Sequence, residues 1–189
     1  MPVRKRFFMK EIATKIKQDL INRNTDLNML QTVSIGDIEL MPSPETLRNR
    51  NTALEYLPAV YIVPENIFTI TASSNKSIAA SKYEFTLRYV HYYDINNTNE
   101  VIEQAMEGAE LVAETLLEDH NLVPTNSSVA YITINDLGGN PIGHILQTEV
   151  PRISFNSIES EIFDELKIPV ILIDIEYTVT FRSLYVKGA

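Results

Sequence analysis

The chain contains no cysteine, so a disulfide framework, a thiolate nucleophile and a cysteine-ligated zinc site are all excluded, and histidine and carboxylate are left to do any chemistry. Its three histidines, His91, His120 and His144, stand in unrelated segments. None has a partner at the four-residue spacing that sets two imidazoles on one helix face. His91 falls in a tyrosine-rich stretch and is expected to fill an interior or rim position. Asp94, Asn96 and Thr98 imitate the opening of a calcium loop, but Asn99 stands where that loop needs glycine and Ala105 where it needs glutamate. Glu159, Glu161, Asp164 and Glu165 are acidic enough for a hard cation, yet they lack a glycine turn and ligand spacing, and a solvated loop is expected. The glycines between Gly138 and Gly143 do not have dinucleotide-binding spacing and suit a hairpin tip. No G-x-S-x-G elbow occurs. These residues together predict a protein that is not an enzyme and holds no metal or cofactor.

Charge carries a stronger pattern. Glu103, Glu107, Glu110, Glu114 and Glu118 fall within an arc of roughly 80° when wound at 100° per residue, with no lysine or arginine among them. Like charges four residues apart cost a helix a few tenths of a kcal/mol each. Such a row is either a solvated face or an electrostatic surface, facing a basic partner or lining a passage that repels a polyanion. The net charge is −9, but residues 1–20 hold six basic and two acidic side chains. Arg6, Lys10 and Lys17 gather opposite an apolar stripe of Phe8, Ile12, Ile16 and Leu20, the pattern of an amphipathic helix. This basic helix is a candidate partner for the acidic row, within one subunit or between neighbours.

The elements that must position these charges follow from periodicity. Val101, Ala105, Ala109, Val112, Ala113 and Leu116 form the inner stripe of a helix ending near His120, capped by Asn97 or Thr98. Strict alternation marks Tyr83–Tyr93 as a strand, with Tyr83, Phe85, Leu87 and Tyr89 on one face and Glu84, Thr86 and Arg88 on the other. The longest alternation runs from Ile168 to Arg182, a strand of roughly 45 Å at ~3.3 Å per residue. Further strands are expected at Thr32–Leu40, Ala59–Val63, Val129–Ile134, Ile142–Gln147 and Val150–Ser157. Residues 1–189 therefore read as a single α+β domain: a mainly antiparallel sheet with long strands and two principal helices packed on one face. Surface excursions are expected at about 41–55, 72–81 and 135–149. Sixteen aromatic residues, nine Tyr and seven Phe, suit both core packing and subunit contacts. No apolar run approaches the ~20 residues of a membrane helix. Lys10 and Glu11 interrupt any apolar region after the basic start, so a secretory signal is not expected and intracellular assembly is.

The basic N-terminal helix, the segment Pro58-Ala-Val-Tyr-Ile-Val-Pro64, the Tyr83–Tyr93 strand running into one long helix, and the terminal long strand together resemble the tail terminator proteins of tailed bacteriophages. The resemblance is an order of elements over most of the chain and rests on no single motif. It implies a homohexameric ring, assembled in the host cytoplasm and carried in the virion, that caps the tail tube. Its partners would be the tube protein and a head-completion or connector protein, with DNA passing through the lumen without specific binding. A head-completion or head-to-tail adaptor protein of the neck is the nearest alternative. A metal-dependent enzyme resting on the acidic clusters, or a nucleic-acid-binding module resting on Arg4, Lys5, Arg6, Lys10 and Lys17, are the alternatives from other classes.

Overall fold

The computed structural model describes residues 7–27, 29–36, 50–71, 79–93, 96–120, 132–136, 138–155 and 170–184. In chain order these form α1 (Met9–Leu27), β1 (Thr32–Ile35), α2 (Arg50–Leu54), β2 (Ala59–Thr71), β3 (Ala79–Tyr92), α3 (Thr98–His120), β4 (Ile132–Asn135), β5 (Pro141–Thr148), β6 (Arg152–Phe155) and β7 (Val170–Ser183). The architecture is α+β, with seven strands in one mixed, mostly antiparallel sheet ordered β1-β2-β3-β7-β5-β4, and β6 also paired with β7. Among the described strands only β1 and β2 run parallel.

Alternation decides which side chains go inside. In β3 the residues Tyr83, Phe85, Leu87 and Tyr89 face the helices, and in β7 Ile173, Ile175, Tyr177, Val179 and Phe181 do so, all buried. Phe8, Ile12, Ile16 and Leu20 of the α1 stripe and Val101, Ala105, Ala109, Val112 and Leu116 of the α3 stripe close this core from above. Each large side chain buried there stabilises the fold by about 1.5–3 kcal/mol. Four tyrosines, Tyr61, Tyr83, Tyr89 and Tyr177, are among the most deeply buried residues. Burial disfavours the phenolate, raising Tyr89 well above the ordinary tyrosine range and Tyr61 to about 12. The N-terminal end of α1 is pinned by Phe8: its ring lies 5.5 Å from that of Phe181, and its N–H donates to Tyr83 Oη at 3.2 Å.

A second, smaller core occupies the opposite face at one end of the sheet. Ala53 and Leu57, in and just after α2, cover Ala59, Tyr61, Val90, Val170 and Leu172. Here successive residues of β7, Val170 to Ile173, are buried on both sides. From Asp174 onward the strand alternates, and among the described residues no helix covers the rest of this face of the sheet.

Three expected excursions need correction. Within 41–55, residues 41–49 lie outside the described residues, but 50–54 form α2, because Ala53 has an apolar seat against the sheet. Within 72–81, residues 72–78 lie outside the described residues, while 79–81 belong to β3 and pair with 69–71 of β2. Within 135–149, residues 141–148 form β5, and among the described residues Asp136, Gly138, Gly139 and Asn140 of the turn and Glu149 lie outside the strands. β5 is an internal strand between β4 and β7, and Ile142 and Ile145 point into the main core. The Asp136 turn is closed by its own carboxylate, which accepts from the N–H groups of Gly138 and Asn140, each at 2.9 Å, and Gly139 supplies the positive φ of 80°. Hydrogen bonds from Asn140 lead in holding the Asp136 carboxyl below its usual range.

Candidate assembly surfaces

The charged rows expected from the sequence lie on the helical layer, where α1 and α3 pack beside one another over the sheet. Thr98–His120 forms because its small and branched apolar residues recur at helical spacing, and Asn97 accepts the first helical bond, from Val101 N–H at 3.1 Å. That register turns Glu103, Glu107, Glu110 and Glu114 outward, all exposed. Glu118 belongs to the same helix, but its side chain lies outside the described residues, as does all of Arg6. Lys10 is exposed and Lys17 partly so on α1. Among the described residues no ion pair joins either lysine to these glutamates. Within α1, Lys15 Nζ pairs with Asp19 Oδ1, one turn on.

Periodicity did not reveal a second surface, on the open face of the sheet. Cross-strand register builds it in rows. Lys82 lies opposite Thr180, Glu84 opposite Thr178, Thr86 opposite Glu176, and Arg88 opposite Asp174. Beyond β7, Arg152 and Ser154 of β6 extend the Glu176 and Asp174 rows. β5 and β6 lie end to end along β7 as one interrupted strand. At the break Glu149 N–H donates to the Thr178 carbonyl at 3.0 Å, which turns the Glu149 side chain toward the open face and leaves Val150 73% exposed. On the other flank β2 carries a bulge between Pro64 and Ile67, so that Glu65 and Asn66 look over the same space.

The result is an open cleft of about 400 Å³. Its floor holds a short polar network. Lys82 Nζ donates to Glu149 Oε1 at 2.8 Å and lies 4.0 Å from Glu84, while Asn66 Nδ2 donates to Glu84 Oε2 at 3.2 Å. The Glu149 hydrogen bond is the main reason the Lys82 ammonium is held above its ordinary value. One row along, Arg88 Nε donates to Asp174 Oδ1 at 2.9 Å, with both side chains about one-fifth exposed (24% and 18%). Counting all charged groups lining the cleft, four glutamates face one lysine and one arginine. The surplus is two negative charges.

The histidines are not brought to this cleft. His144 lies opposite Arg182 and Thr133, about 13 Å along β7 from Thr178. His91 is partly buried near Tyr89, its Nδ1–H donating to the Tyr92 carbonyl at 2.8 Å, and burial pushes its pKa down. The side chain of His120, the Asp94 start of the calcium-like stretch and the acidic group Glu159–Glu165 lie outside the described residues. Among the described residues no three histidines or carboxylates converge in a way that would hold a metal ion. No helix among them is long and apolar enough to cross a membrane. The arrangement supports polar contact and charge matching, and among the described residues no imidazole lies in the cleft beside the hydroxyls of Thr86 and Thr178. Comparison with protein-family models finds no match, and neither does comparison with curated proteins.

Proposed function

We propose that this chain is a structural virion protein of the tail terminator kind, a subunit of a ring that caps a phage tail tube and offers a docking face to the head side. The observation that carries this reading is the two-sidedness of the sheet. Helices seal one face and present an outward acidic ridge and a basic α1, whereas among the described residues most of the other face is uncovered and carries paired charges. Head-to-tail rings need two different surfaces on one chain that complement each other. The order helix, strands, long helix, strands, ending on a 14-residue strand, is also the order on which the resemblance rests. An acidic outer surface suits a passage for DNA, because a strongly basic lumen would hold the polyanion back.

Native mass spectrometry and negative-stain imaging of the purified chain test this. A six-subunit ring, alone or on purified tube ends, is the expected result. A strict monomer at high concentration that also ignores tube ends refutes the proposal. An adaptor of the neck would instead bind the capsid connector and leave tube ends uncapped.

A further inference from the structure

We infer that the open-face cleft is the receptor for the basic N-terminal stretch of a second copy, so that Arg4, Lys5, Arg6, Phe7 and Lys10 of one subunit dock between β2, β3 and β6 of the next. The inference deepens the ring-forming reading and rests on it. Charge is the first argument. The cleft has a surplus of two negative charges, contributed by Glu65, Glu84, Glu149 and Glu176 against Lys82 and Arg152. The first ten residues hold four basic side chains and no acidic one. No other ten-residue stretch of the chain is as basic.

Apolar matching is the second argument. Phe7 is 49% exposed immediately after this basic run, and the cleft rim exposes Val150, with Phe68 half-exposed on the same face opposite Lys82. A basic segment followed by an aromatic fits a surface with carboxylates on its floor and apolar groups at its edge.

Placement is the third argument. Phe8 anchors the stretch on the helical side of the sheet, against Phe181 and Tyr83, whereas the cleft opens on the opposite side. Donor and receptor surfaces on opposite sides of one subunit give a head-to-tail contact, the kind that propagates and closes into a ring.

Charge reversal separates this inference from the ring reading itself. One variant carries Arg4→Glu, Lys5→Glu and Arg6→Glu; a second carries Glu84→Lys and Glu176→Lys; a third carries all five. Self-association is followed by analytical ultracentrifugation, with circular dichroism checking that each variant is folded. An exposed ion pair contributes up to about fivefold in affinity, so losing two or three and replacing them by repulsion should raise the concentration needed for assembly by on the order of 25-fold. The first two variants should therefore be monomers where the parent forms rings. Mixed together they should form alternating rings, since the intact arm of the second meets the intact cleft of the first and the reversed arm of the first meets the reversed cleft of the second. The third variant should recover rings. Rings in both single-surface variants would overturn the inference and leave the ring reading standing, as would loss in both without recovery in the mixture and in the third variant. A parent that never associates would overturn both.

Discussion

Replacing Gly143 by alanine tests whether the end of the sheet is packed as tightly as the aromatic contacts imply. Gly143 sits in β5 between Ile134 of β4 and Ser183 of β7. A Cβ built there would lie 2.2 Å from Phe181 Cζ and 2.4 Å from the Arg182 carbonyl oxygen, each about 1 Å or more inside ordinary contact. The ring cannot swing away freely, because it is fixed against Phe8 at 5.5 Å and Tyr83 at 6.1 Å. The carbonyl belongs to a strand hydrogen-bonded on both sides. Overpacking of this kind costs about 1–3 kcal/mol, and the rigid backbone neighbour places it near the upper end. Alanine regains roughly 0.5–1 kcal/mol by restricting the unfolded chain. A net loss of about 2 kcal/mol should lower Tm by roughly 4–8 °C in a chain of this size. Thermal unfolding followed by circular dichroism measures it, and a second variant adds Phe181→Leu. That change frees the ring contact but not the backbone one, so the pair should be less than additive by about 1 kcal/mol. An alanine variant as stable as the parent would refute the packing argument.

Gly108 gives a parallel case on a helix: a Cβ would meet Tyr89 Oη at 2.1 Å and Cζ at 2.6 Å. Gly108→Ala should lose about 1–2 kcal/mol in urea unfolding even though alanine favours the helix by ~1 kcal/mol, and adding Tyr89→Phe should recover part of the loss. On the open face, Arg88→Met alone should cost about 1–2 kcal/mol by leaving the largely buried Asp174 carboxylate without its guanidinium, and Arg88→Met with Asp174→Leu should recover most of it. His91 has a folded pKa below its ordinary value, so the unfolded chain binds its proton more readily. Its contribution is complete above the unfolded pKa of about 6.5 and declines as pH falls below it. The urea midpoint of the parent should drop between pH 7.5 and 5 by more than that of His91→Gln; equal drops would count against a buried neutral imidazole.

The parts legible in the sequence are those where one segment carries its own signal. The α3 stripe, the alternation of β3 and the long alternation of β7 specify face and type without reference to any neighbour, and the acidic ridge follows from the same helical arithmetic. What alternation does not encode is which strand lies beside which. The cleft needs Glu84 from β3, Glu176 from β7, Glu149 from the β5–β6 break and Glu65 from a bulge, and only the register brings these four segments together. The same limit hid α2, whose five residues are too short for a periodic signal and fold onto the sheet because Ala53 joins the buried cluster that holds Tyr61 and Leu172. Gly143 was legible only as one of a group of glycines. Its use depends on a distant segment, since the Phe181 ring of β7 occupies the space a Cβ would need.

The border between the sealed and open parts of the second face is written into β7. Val170, Ile171, Leu172 and Ile173 are all buried, which is possible only for a strand covered on both sides, and α2 and Leu57 supply the second cover. At Asp174 the pattern becomes strictly alternating, and β3 changes in the matching place: Val90 is covered, whereas Arg88, across from Asp174, is not. The two central strands thus switch together, and an exposed half-face is specified by both. Solvation alone would be served by scattered polar residues, such as the threonines that also occur here. This half-face instead holds a cross-strand ion pair, a lysine held between two glutamates and an exposed valine at the rim. Ordered charges beside apolar groups form a surface that gains from being covered by a partner of the opposite sign. The basic N-terminal stretch is the part of this chain with that sign, which ties the assembly proposal to the same few residues that the charge reversals test.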